Sequence, residues 1–583
     1  MFTIITKFYL ILAIYILKVL CIQTQGQQNS TQILQLQSQN SQEGSLFCLQ
    51  CQLFLSKIQS KNTTEFVRNI ASFTEFFCTT FRIETKKVCK GAIEENAKIV
   101  IDMLQKRYTD PNMICPLLGL CPKYYDEINI EDLIKQIEQD KPIVNEYKKE
   151  QKNNDKYNIL HLTDLHFDEK YKEGASANCK DPNCCREESS ESTEKAGYWG
   201  YVGNCDIPFR TIEATIEFIK KNLTETLDFI IWTGDNTNHF IWEQSLEDNL
   251  KSTEQITQIL QQKLPKIKVF PIMGNHESFP VNNYDFGSQR EKYFNQRLSS
   301  MWQSWIGKEA AEMFANKGFY STFLNEKVKI IAINTQGANN GNFFLIQNPT
   351  DPGKMLEWMR EELIDCEKKG FKAIIIGHIP SNGDVLELWS QVYNSIIYRF
   401  ADVISGQFFG HTHIDQFVVY RNPENKKIKN VAFVAPSLTT FVYRLPTFRV
   451  FELFKENAKV VNYIQYSFNI TKWNLNGVKD INQVNFDVDY VFKEKYQNIF
   501  GNDLGNMDDW EKLLKEMKNN INVFNAYAKS YNNQNQQIEY KEVDQKILCG
   551  LEGTQHLQEE CMGNRYKKKI IEYIYGNWFT KKN

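Results

Sequence analysis

Histidines and carboxylates are concentrated in five short motifs in the middle of this 583-residue chain. Of its eight histidines, six lie in or beside these motifs, each of which follows an apolar run. Imidazole nitrogens and carboxylate oxygens are ligands for zinc and similar borderline cations. A structural role could explain any one of these histidines alone, but the ordered set predicts a metal site. The motifs are Asp164-Leu165-His166, Gly234-Asp235-Asn236, Gly274-Asn275-His276-Glu277, Gly377-His378 and Gly410-His411-Thr412-His413.

The elements that must position these motifs are short apolar runs separated by helical stretches. Residues 209–223 show the helical pattern, because their apolar side chains recur on one face. Buried strands that alternate with helices predict an α/β (α+β layered) domain with two packed sheets or one large mixed sheet. Side chains at the carboxyl ends of such strands converge on one edge, and the glycines let the backbone turn sharply there.

The ordered motif set resembles the calcineurin-like metallophosphoesterase family over residues 156–470. The resemblance implies a β-sandwich flanked by helices that binds two Zn²⁺ ions per chain, with Asp235 bridging the ions. The purple phosphatases of this family place an iron-binding Tyr just after the motif that corresponds to Gly234-Asp235. This chain has no Tyr there, which favours zinc over ferric iron. The first ion would also bind Asp164, His166 and His413, and the second would bind Asn275, His378 and His411.

A two-metal site of this kind implies hydrolysis of a phosphodiester by hydroxide, with the ions neutralising charge on the phosphoryl oxygens. The leaving alkoxide needs a proton, and His276, beside the predicted ligand Asn275, is the first candidate for the general acid. His239, four residues after Asp235, is the second candidate, or orients the leaving oxygen. Hydrogen bonding around the site without a catalytic role is the alternative for both. His161, on the strand before the first motif, is expected to be buried rather than to bind metal.

Residues 46–124 contain six cysteines between segments with the periodicity of amphipathic helices. The cysteine spacing resembles a saposin B-type domain, an all-α unit that binds or perturbs lipid through the apolar faces of its helices. A unit this small needs covalent cross-links to hold together. A helical propeptide or a packing module is the alternative interpretation. The resemblance implies the disulfides Cys48–Cys121, Cys51–Cys115 and Cys78–Cys89.

A saposin-like unit, a phosphoesterase and a helical C-terminal region together resemble the acid sphingomyelinase family. In that family a disulfide joins the loop after Asn334 to the loop after His378, but here no cysteine stands in either loop, and Cys366 is left as an odd thiol. Residues 442–447 differ from the family near the headgroup site, which puts choline selectivity in question. The resemblance implies three further disulfides, Cys179–Cys184, Cys185–Cys205 and Cys549–Cys561.

Three functions are compatible with these features. The family resemblance favours a sphingomyelin phosphodiesterase that releases ceramide and phosphocholine through a hydroxide activated by two zinc ions. A phosphodiesterase acting on nucleotides or other small phosphodiesters is the alternative, and the saposin-like unit disfavours it. A lipid-binding protein with an inactive enzyme domain is the third, and the presence of all seven predicted ligands disfavours it. Four tryptophans are candidates for an apolar surface near the cleft, with burial in the core as the alternative: Trp199, Trp242, Trp302 and Trp305.

The N-terminal residues and the cysteines indicate export, either by secretion or into a lysosomal lumen. Residues 1–22 carry a short apolar run and are predicted to be a signal peptide, with an uncleaved anchor as the alternative. The chain has 14 cysteines, mostly in local groups, as is typical of disulfides.

The net charge of -3 does not indicate binding to nucleic acid. The chain is expected to be a monomer whose partner is phospholipid at a membrane surface. Residues 23–45 are predicted to be a disordered lead-in, 125–155 a linker and 471–583 a helical C-terminal domain, and sequons predict glycosylation at Asn29, Asn62, Asn222 and Asn469.

Overall fold

The computed structural model describes residues 155–422, 425–532 and 539–562, the segment 82–105, and isolated positions between 48 and 137. The predicted signal peptide, the lead-in and nearly all of the linker lie outside these residues. So do four predicted site residues, Asn29, Asn62, Cys51 and Cys121. Among the residues described, no helix has both the length and the apolar character needed to cross a bilayer.

Two six-stranded mixed sheets form the centre of the molecule, and strands of both contribute to one apolar core. The strands are β1 (Lys156–Leu162), β2 (Phe229–Trp232), β3 (Lys268–Pro271), β4 (Tyr320–Asn325), β5 (Val328–Ala332), β6 (Lys372–Ile376), β7 (Ile404–Phe409), β8 (Gln416–Arg421), β9 (Ile428–Val434), β10 (Thr447–Phe454), β11 (Val460–Ser467) and β12 (Asp487–Val491). The first sheet has the order β12-β11-β10-β1-β2-β3 and the second has the order β4-β5-β6-β7-β9-β8. This layered arrangement with flanking helices confirms the predicted fold class.

Parallel strands lie where the motifs require them. In the first sheet β1, β2 and β3 are parallel neighbours, and in the second β5, β6 and β7 are. The apolar runs of β2 and β5 are buried along their whole length, as expected of strands covered on both faces. Because parallel strands share their direction, their carboxyl ends open at one edge of each sheet and carry the predicted ligands there.

Aromatic side chains fill the space between the two sheets. Phe408 of β7 meets Phe451 of β10 edge to face, with ring centroids 4.9 Å apart. His161 lies in the same layer, fully buried, with its Nε2 3.0 Å from the hydroxyl of Thr233. Burial, together with the positive charge of Arg449, lowers the pKa of His161 to about 3. His161 is therefore a neutral interior residue.

Helices cover the outer faces of the sheets, and local sequence determines where several of them begin. Ser245 and Ser288 are N-caps whose hydroxyls accept hydrogen bonds from backbone N–H groups in the first turn. Cys366 is buried under the second sheet, where desolvation raises the pKa of its thiol to about 11 and so disfavours the thiolate. The α-helices are α1 (Lys86–Gln105), α2 (Phe209–Asn222), α3 (Leu246–Lys263), α4 (Gln289–Ile306), α5 (Lys308–Lys317), α6 (Met355–Lys369), α7 (Glu387–Arg399), α8 (Ile470–Leu475), α9 (Phe492–Lys495), α10 (Met507–Asn519), α11 (Ile521–Tyr531), α12 (Gln545–Cys549) and α13 (Gln555–Met562).

The C-terminal region is helical but shares the core of the sheets. Its strand β12, which the helical pattern did not predict, pairs with β11 and extends the first sheet. Trp510 of α10 is fully buried and touches Phe417 and Phe433 of the second sheet. The disulfide Cys549–Cys561 joins α12 to α13 at the end of the described region. These contacts make residues after 470 part of the same folding unit.

Trp510→Ala is expected to destabilise the whole enzyme domain by about 3–5 kcal/mol, because it leaves a cavity among four aromatic rings. The measurement is a urea unfolding curve followed by tryptophan fluorescence and by loss of phosphodiesterase activity. Trp473→Ala is the matched control, because that side chain is only half-buried. Separate unfolding transitions for the sheets and the C-terminal helices would contradict a shared core.

The described part of the saposin-like unit is built around α1. The disulfide Cys78–Cys89 ties the start of α1 to the preceding segment, and Ile93 packs beside it. Cys48 and Cys115 are both disulfide-bonded. An adjacent face of α1 packs against loops of the phosphoesterase domain.

Candidate metal centre

The predicted ligands converge at the carboxyl ends of strands from both sheets. Those from the first sheet follow β1, β2 and β3, and those from the second follow β6 and β7. Six of the seven are buried, and only His411 keeps partial contact with solvent. The buried six are Asp164, His166, Asp235, Asn275, His378 and His413. A site of this kind lies in a crevice where five loops meet.

Five of the seven predicted ligand positions have a left-handed backbone conformation. Residues other than glycine rarely adopt this backbone conformation, and strained residues of this kind are concentrated at functional sites. Gly410 explains how the loops approach so closely, because a Cβ there would lie 2.0 Å from the Thr163 hydroxyl and 2.4 Å from Asp164 Oδ2. The left-handed residues, with their φ angles, are Asp164 (51°), His166 (36°), Asp235 (59°), His411 (72°) and His413 (60°).

One group of ligand atoms surrounds a point between Asp164, His166 and His413. The Nε2 atoms of the two histidines lie 3.3 Å apart, and His413 Nε2 lies 3.3 Å from Asp164 Oδ1. Tetrahedral zinc with bonds of about 2.1 Å separates its ligand atoms by about 3.4 Å. The spacing of these three side chains therefore suits a small divalent cation.

A second group shares Asp235 with the first. Asp235 Oδ2 lies 3.0 Å from His378 Nε2 and 3.4 Å from His166 Nε2. A ligand atom of His411 lies within 4.8 Å of those of Asp235 and His378. The Asp235 carboxylate thus stands between the two groups of histidines.

The hydrogen bonds around these side chains leave their inward atoms available as ligands. Nδ1 of His166 and Nδ1 of His378 each donate to a backbone carbonyl at 2.7 Å, so Nε2 is the ring nitrogen that each leaves for a cation. Asn275 donates through Nδ2 to Asn282 at 2.8 Å, while its Oδ1 is buried without a hydrogen-bond partner. Buried polar atoms are rarely left unsatisfied. The residues present therefore fit a bound cation at each group.

Charge in the site also favours cations. Burial opposes ionisation of Asp235, but His378 and His276 hold the pKa of its carboxyl well below the usual range. The neighbouring histidines have the same net effect on Asp164. Both aspartates are therefore ionised.

The two candidate acids stand side by side at this centre. The rings of His239 and His276 are 4.7 Å apart, and that of His239 is 4.1 Å from His166. A ligand atom of His239 also lies within 4.8 Å of those of His166 and His413, so distance alone does not separate acid from ligand. Burial, followed by the nearby histidines, lowers the pKa of His239 well below its usual range. Burial is also the largest cause that lowers the pKa of His276.

Asp206 is a site residue that the motifs did not reveal. Its Oδ1 accepts a hydrogen bond from His239 Nδ1 at 2.8 Å, and its Oδ2 accepts one from the His239 backbone N–H at 2.7 Å. Thr439 and Asn183 donate to the same buried carboxylate. The ring of Phe441 stacks on the ring of His239, with the centroids 3.9 Å apart. His239 is thus held in one orientation, in which Nε2 is the ring nitrogen that remains for proton transfer.

The loops that a disulfide joins elsewhere in the resembled family are joined here by backbone hydrogen bonds. The N–H of Asn340 donates to the carbonyl of Asp384, and the N–H of Leu386 donates to the carbonyl of Ala338. Asp384 Oδ2 lies 3.2 Å from His411 Nε2. This pairing holds Asp384 beside a predicted ligand without a cross-link.

Similarity to known proteins agrees with this centre. Residues 157–415 match the calcineurin-like phosphoesterase family, and residues 87–121 match the family described as saposin-like type B, region 2. Sphingomyelin phosphodiesterase A of Dictyostelium discoideum is 30% identical over 533 residues, which cover 84% of this chain and 86% of that protein. The chain belongs to the acid sphingomyelinase family.

Other members and relatives of the acid sphingomyelinase family share parts of the chain. Sphingomyelin phosphodiesterase of Homo sapiens is 33% identical over 381 residues, covering 63% of this chain and 59% of that protein. Cyclic GMP-AMP phosphodiesterase SMPDL3A of Homo sapiens is 30% identical over 334 residues, covering 54% of this chain and 71% of that protein. As an acid sphingomyelinase family member, the protein is a metal-dependent phosphodiester hydrolase.

Glu277 fastens two of the ligand loops of this acid sphingomyelinase family member together. Its Oε2 accepts hydrogen bonds from the backbone N–H groups of Gly274 and Asp235, and its Oε1 accepts from the backbone and the side chain of Asn236. Burial raises the pKa of this carboxyl, and the hydrogen-bond donors oppose that rise. The carboxylate thus fixes the backbone that carries Asp235 and Asn275.

Glu277→Gln is expected to weaken metal binding about 10- to 100-fold and to lower stability by about 1–3 kcal/mol. In either orientation an amide N–H₂ would face backbone donors. Metal affinity is measured by competition with a chromogenic chelator, and stability by urea unfolding. Glu247→Gln, at an exposed position of α3, is the matched control. Unchanged metal affinity in Glu277→Gln would show that the loops hold their positions without this carboxylate.

The apolar surface near the crevice differs from the prediction. Trp199, Trp242, Trp302 and Trp305 are all buried, so they are core residues, and the surface interpretation was wrong for them. The exposed apolar side chains beside the site are instead Val442 and Tyr443, which follow the ring that stacks on His239. Both have left-handed φ angles, 62° and 63°. Residues 442–443 are thus held outward at the rim of the site.

Proposed function

We propose that the protein is a sphingomyelin phosphodiesterase that hydrolyses sphingomyelin to ceramide and phosphocholine with two bound zinc ions. The observation that carries the proposal is the position of the Asp235 carboxylate between two groups of ligand atoms. The sphingomyelin phosphodiesterases among the relatives support the lipid substrate.

Seven side chains would hold the two ions. Asp164, His166 and His413 would hold the first, Asn275, His378 and His411 the second, and Asp235 both. When bound, the ions would supply an activated water as nucleophile and neutralise the charge on the phosphoryl oxygens.

Two histidines beside the proposed metal ligands would give the leaving ceramide oxygen its proton. Burial lowers the pKa of both rings, so each ring takes up a proton more readily at acid pH. Asp206 accepts from His239 Nδ1 and stabilises the protonated ring, while His276 Nδ1 lies 3.3 Å from the Asn238 carbonyl. We assign His239 and His276 together to the leaving-group side of the reaction.

A bilayer is the proposed partner of the protein. The saposin-like unit would contact lipid, and the exposed residues Val442 and Tyr443 would meet the membrane at the rim of the site. Export through the segment 1–22, to the exterior or a lysosomal lumen, and a monomeric state belong to the same proposal. Asn222 is exposed on α2 and open to glycosylation, whereas Asn469 is half-buried and its Oδ1 caps α8.

Nucleotide hydrolysis is the second candidate, because one relative is a cyclic GMP-AMP phosphodiesterase. The metal centre can serve either phosphodiester. The two candidates differ in what lies beside the phosphate, a ceramide chain in a membrane or a soluble nucleoside.

The deciding experiment incubates the purified chain with sphingomyelin liposomes and measures phosphocholine release, with and without a zinc chelator. Cyclic GMP-AMP and p-nitrophenyl phosphorylcholine are assayed in parallel, and metal content is measured by mass spectrometry. Chelator-sensitive release of phosphocholine, restored by added zinc, is the expected result. Hydrolysis of the nucleotide by the metal-loaded protein without release from liposomes would reject the lipid substrate.

A further inference from the structure

Helix α1 of the saposin-like unit is docked on loops of the catalytic domain. Val88 packs with Phe240 and Trp242, which follow His239 in the chain. Further along the helix, Ile99 and Met103 pack with Phe343. The approach is close at one point, because a Cβ on Gly91 would lie 2.1 Å from the Trp242 carbonyl oxygen.

Polar contacts at the edges of this interface fix the position of α1. Lys87 Nζ lies 2.6 Å from Glu243. Asn283 Nδ2 donates to Asn96 Oδ1 at 2.9 Å, and the Thr85 hydroxyl donates to Asp181 at 2.8 Å. The interface is therefore apolar in its middle and polar at its borders.

Glu95 lies in the middle of the docking stripe of α1. With about 100° of rotation per residue, Glu95 projects between Val88 and Gly91 on one side and Ile99 on the other. Its neighbours along the stripe are small or apolar and contact the catalytic domain. A carboxyl group at this point loses much of its contact with water when the helix is docked.

Within the described part of the chain, Glu95 forms no ion pair or side-chain hydrogen bond, and burial alone shifts its titration. The charged groups on the elements packed against α1 have other partners. Glu243 is bound by Lys87, Lys170 and Arg186, and Arg290 is paired with Glu291. Asp181 accepts from Thr85, and on α1 itself Lys90 faces Glu94. Among the described residues, no positively charged side chain is paired with Glu95, and Lys98, one turn along α1, is exposed to solvent.

We propose that docking of α1 on the catalytic domain is an acid-dependent latch, in which a neutral Glu95 permits docking and an ionised Glu95 opposes it. The latch acts on the loop that continues directly from His239. It therefore couples the position of the saposin-like unit to the side of the site that carries the candidate general acid. The proposal does not depend on which phosphodiester the enzyme hydrolyses.

The sign of the pH dependence follows from the proton affinity of Glu95. Burial in the docked state raises the pKa of Glu95 from 4.5 to about 8. The docked state therefore binds the proton more tightly, and docking is favoured most below the pKa of the solvated carboxyl. Docking weakens as pH rises from about 4.5 to about 8 and changes little beyond that. Because the side chain keeps some solvent contact, we expect a change of at least about tenfold in the docking equilibrium.

The test measures the distance between α1 and the catalytic domain in the full chain by pulsed electron paramagnetic resonance. Spin labels are attached at Lys90→Cys and Glu361→Cys, two exposed helical positions. The buried thiol of Cys366 does not compete for the label. Gly91→Leu provides the undocked reference, because its side chain collides with the Trp242 backbone.

The expected result is a ratio of docked to undocked protein that falls at least about tenfold between about pH 5 and about pH 8. Glu95→Gln should stay docked across this range. Glu94→Gln, at the exposed neighbouring position, should behave like the unmodified chain. The same pH dependence in Glu95→Gln and the unmodified chain, or full docking of both at every pH, would overturn the latch. Circular dichroism of each variant establishes that α1 is folded.

Discussion

Asp235→Ala is expected to lower kcat/KM for sphingomyelin by at least about 10³-fold and, given the proposed site for two zinc ions, to reduce the bound zinc to one ion or none. The carboxylate lies within 3.4 Å of His166 and within 3.0 Å of His378, so its removal takes a ligand from both groups at once. Zinc content is measured by mass spectrometry after dialysis, and kcat/KM by phosphocholine release.

The control for this prediction is Asp402→Asn, an exposed position at the amino end of β7, away from the metal centre. It should keep both the zinc content and the activity of the unmodified chain. Full zinc content in Asp235→Ala, or activity above about a tenth of normal, would show that Asp235 does not bridge two ions.

Asp206→Asn is expected to lower kcat for sphingomyelin by about 10²-fold while leaving KM and zinc content unchanged. The carboxylate accepts four hydrogen bonds, two of them from His239. An amide would set an N–H₂ group against donors and would no longer stabilise a protonated His239 ring. The leaving oxygen would then depart without its proton.

Leaving-group dependence separates a positioning role from a structural one. With p-nitrophenyl phosphorylcholine, whose leaving group needs no proton, the loss in Asp206→Asn should shrink to within about threefold. His239→Asn should show the same pattern, and the double variant should be no slower than either single variant. An equal loss of kcat with both substrates, or a loss of zinc, would show that Asp206 has a structural role only.

The ligand motifs could be predicted because each depends on local geometry. A residue two or three positions beyond a buried parallel strand is carried to the sheet edge whatever the rest of the fold does. Asp164, Asp235 and His378 are of this kind. The family likewise followed from motif order and cysteine spacing, which survive large changes elsewhere in the chain.

Asp206 could not be predicted in this way. It follows Cys205 in an irregular loop and reaches His239, which lies 33 residues further along the chain, only through tertiary packing. Its one sequence signal is its place beside a predicted disulfide, which the structure contains as Cys185–Cys205. A lone aspartate in a loop carries no periodicity from which a role can be inferred.

By itself, the sequence determined most of the strand and helix pattern, the set of candidate metal ligands and the family, because these depend on neighbours in the chain. Only the tertiary structure decided which tryptophans are buried, that β12 joins the first sheet, and that backbone hydrogen bonds replace a disulfide near His411. It also decided that the face of α1 with Val88, Gly91 and Ile99 meets the catalytic domain. Burial and interdomain contact depend on surfaces that meet only after folding, and such surfaces leave no mark on the local pattern.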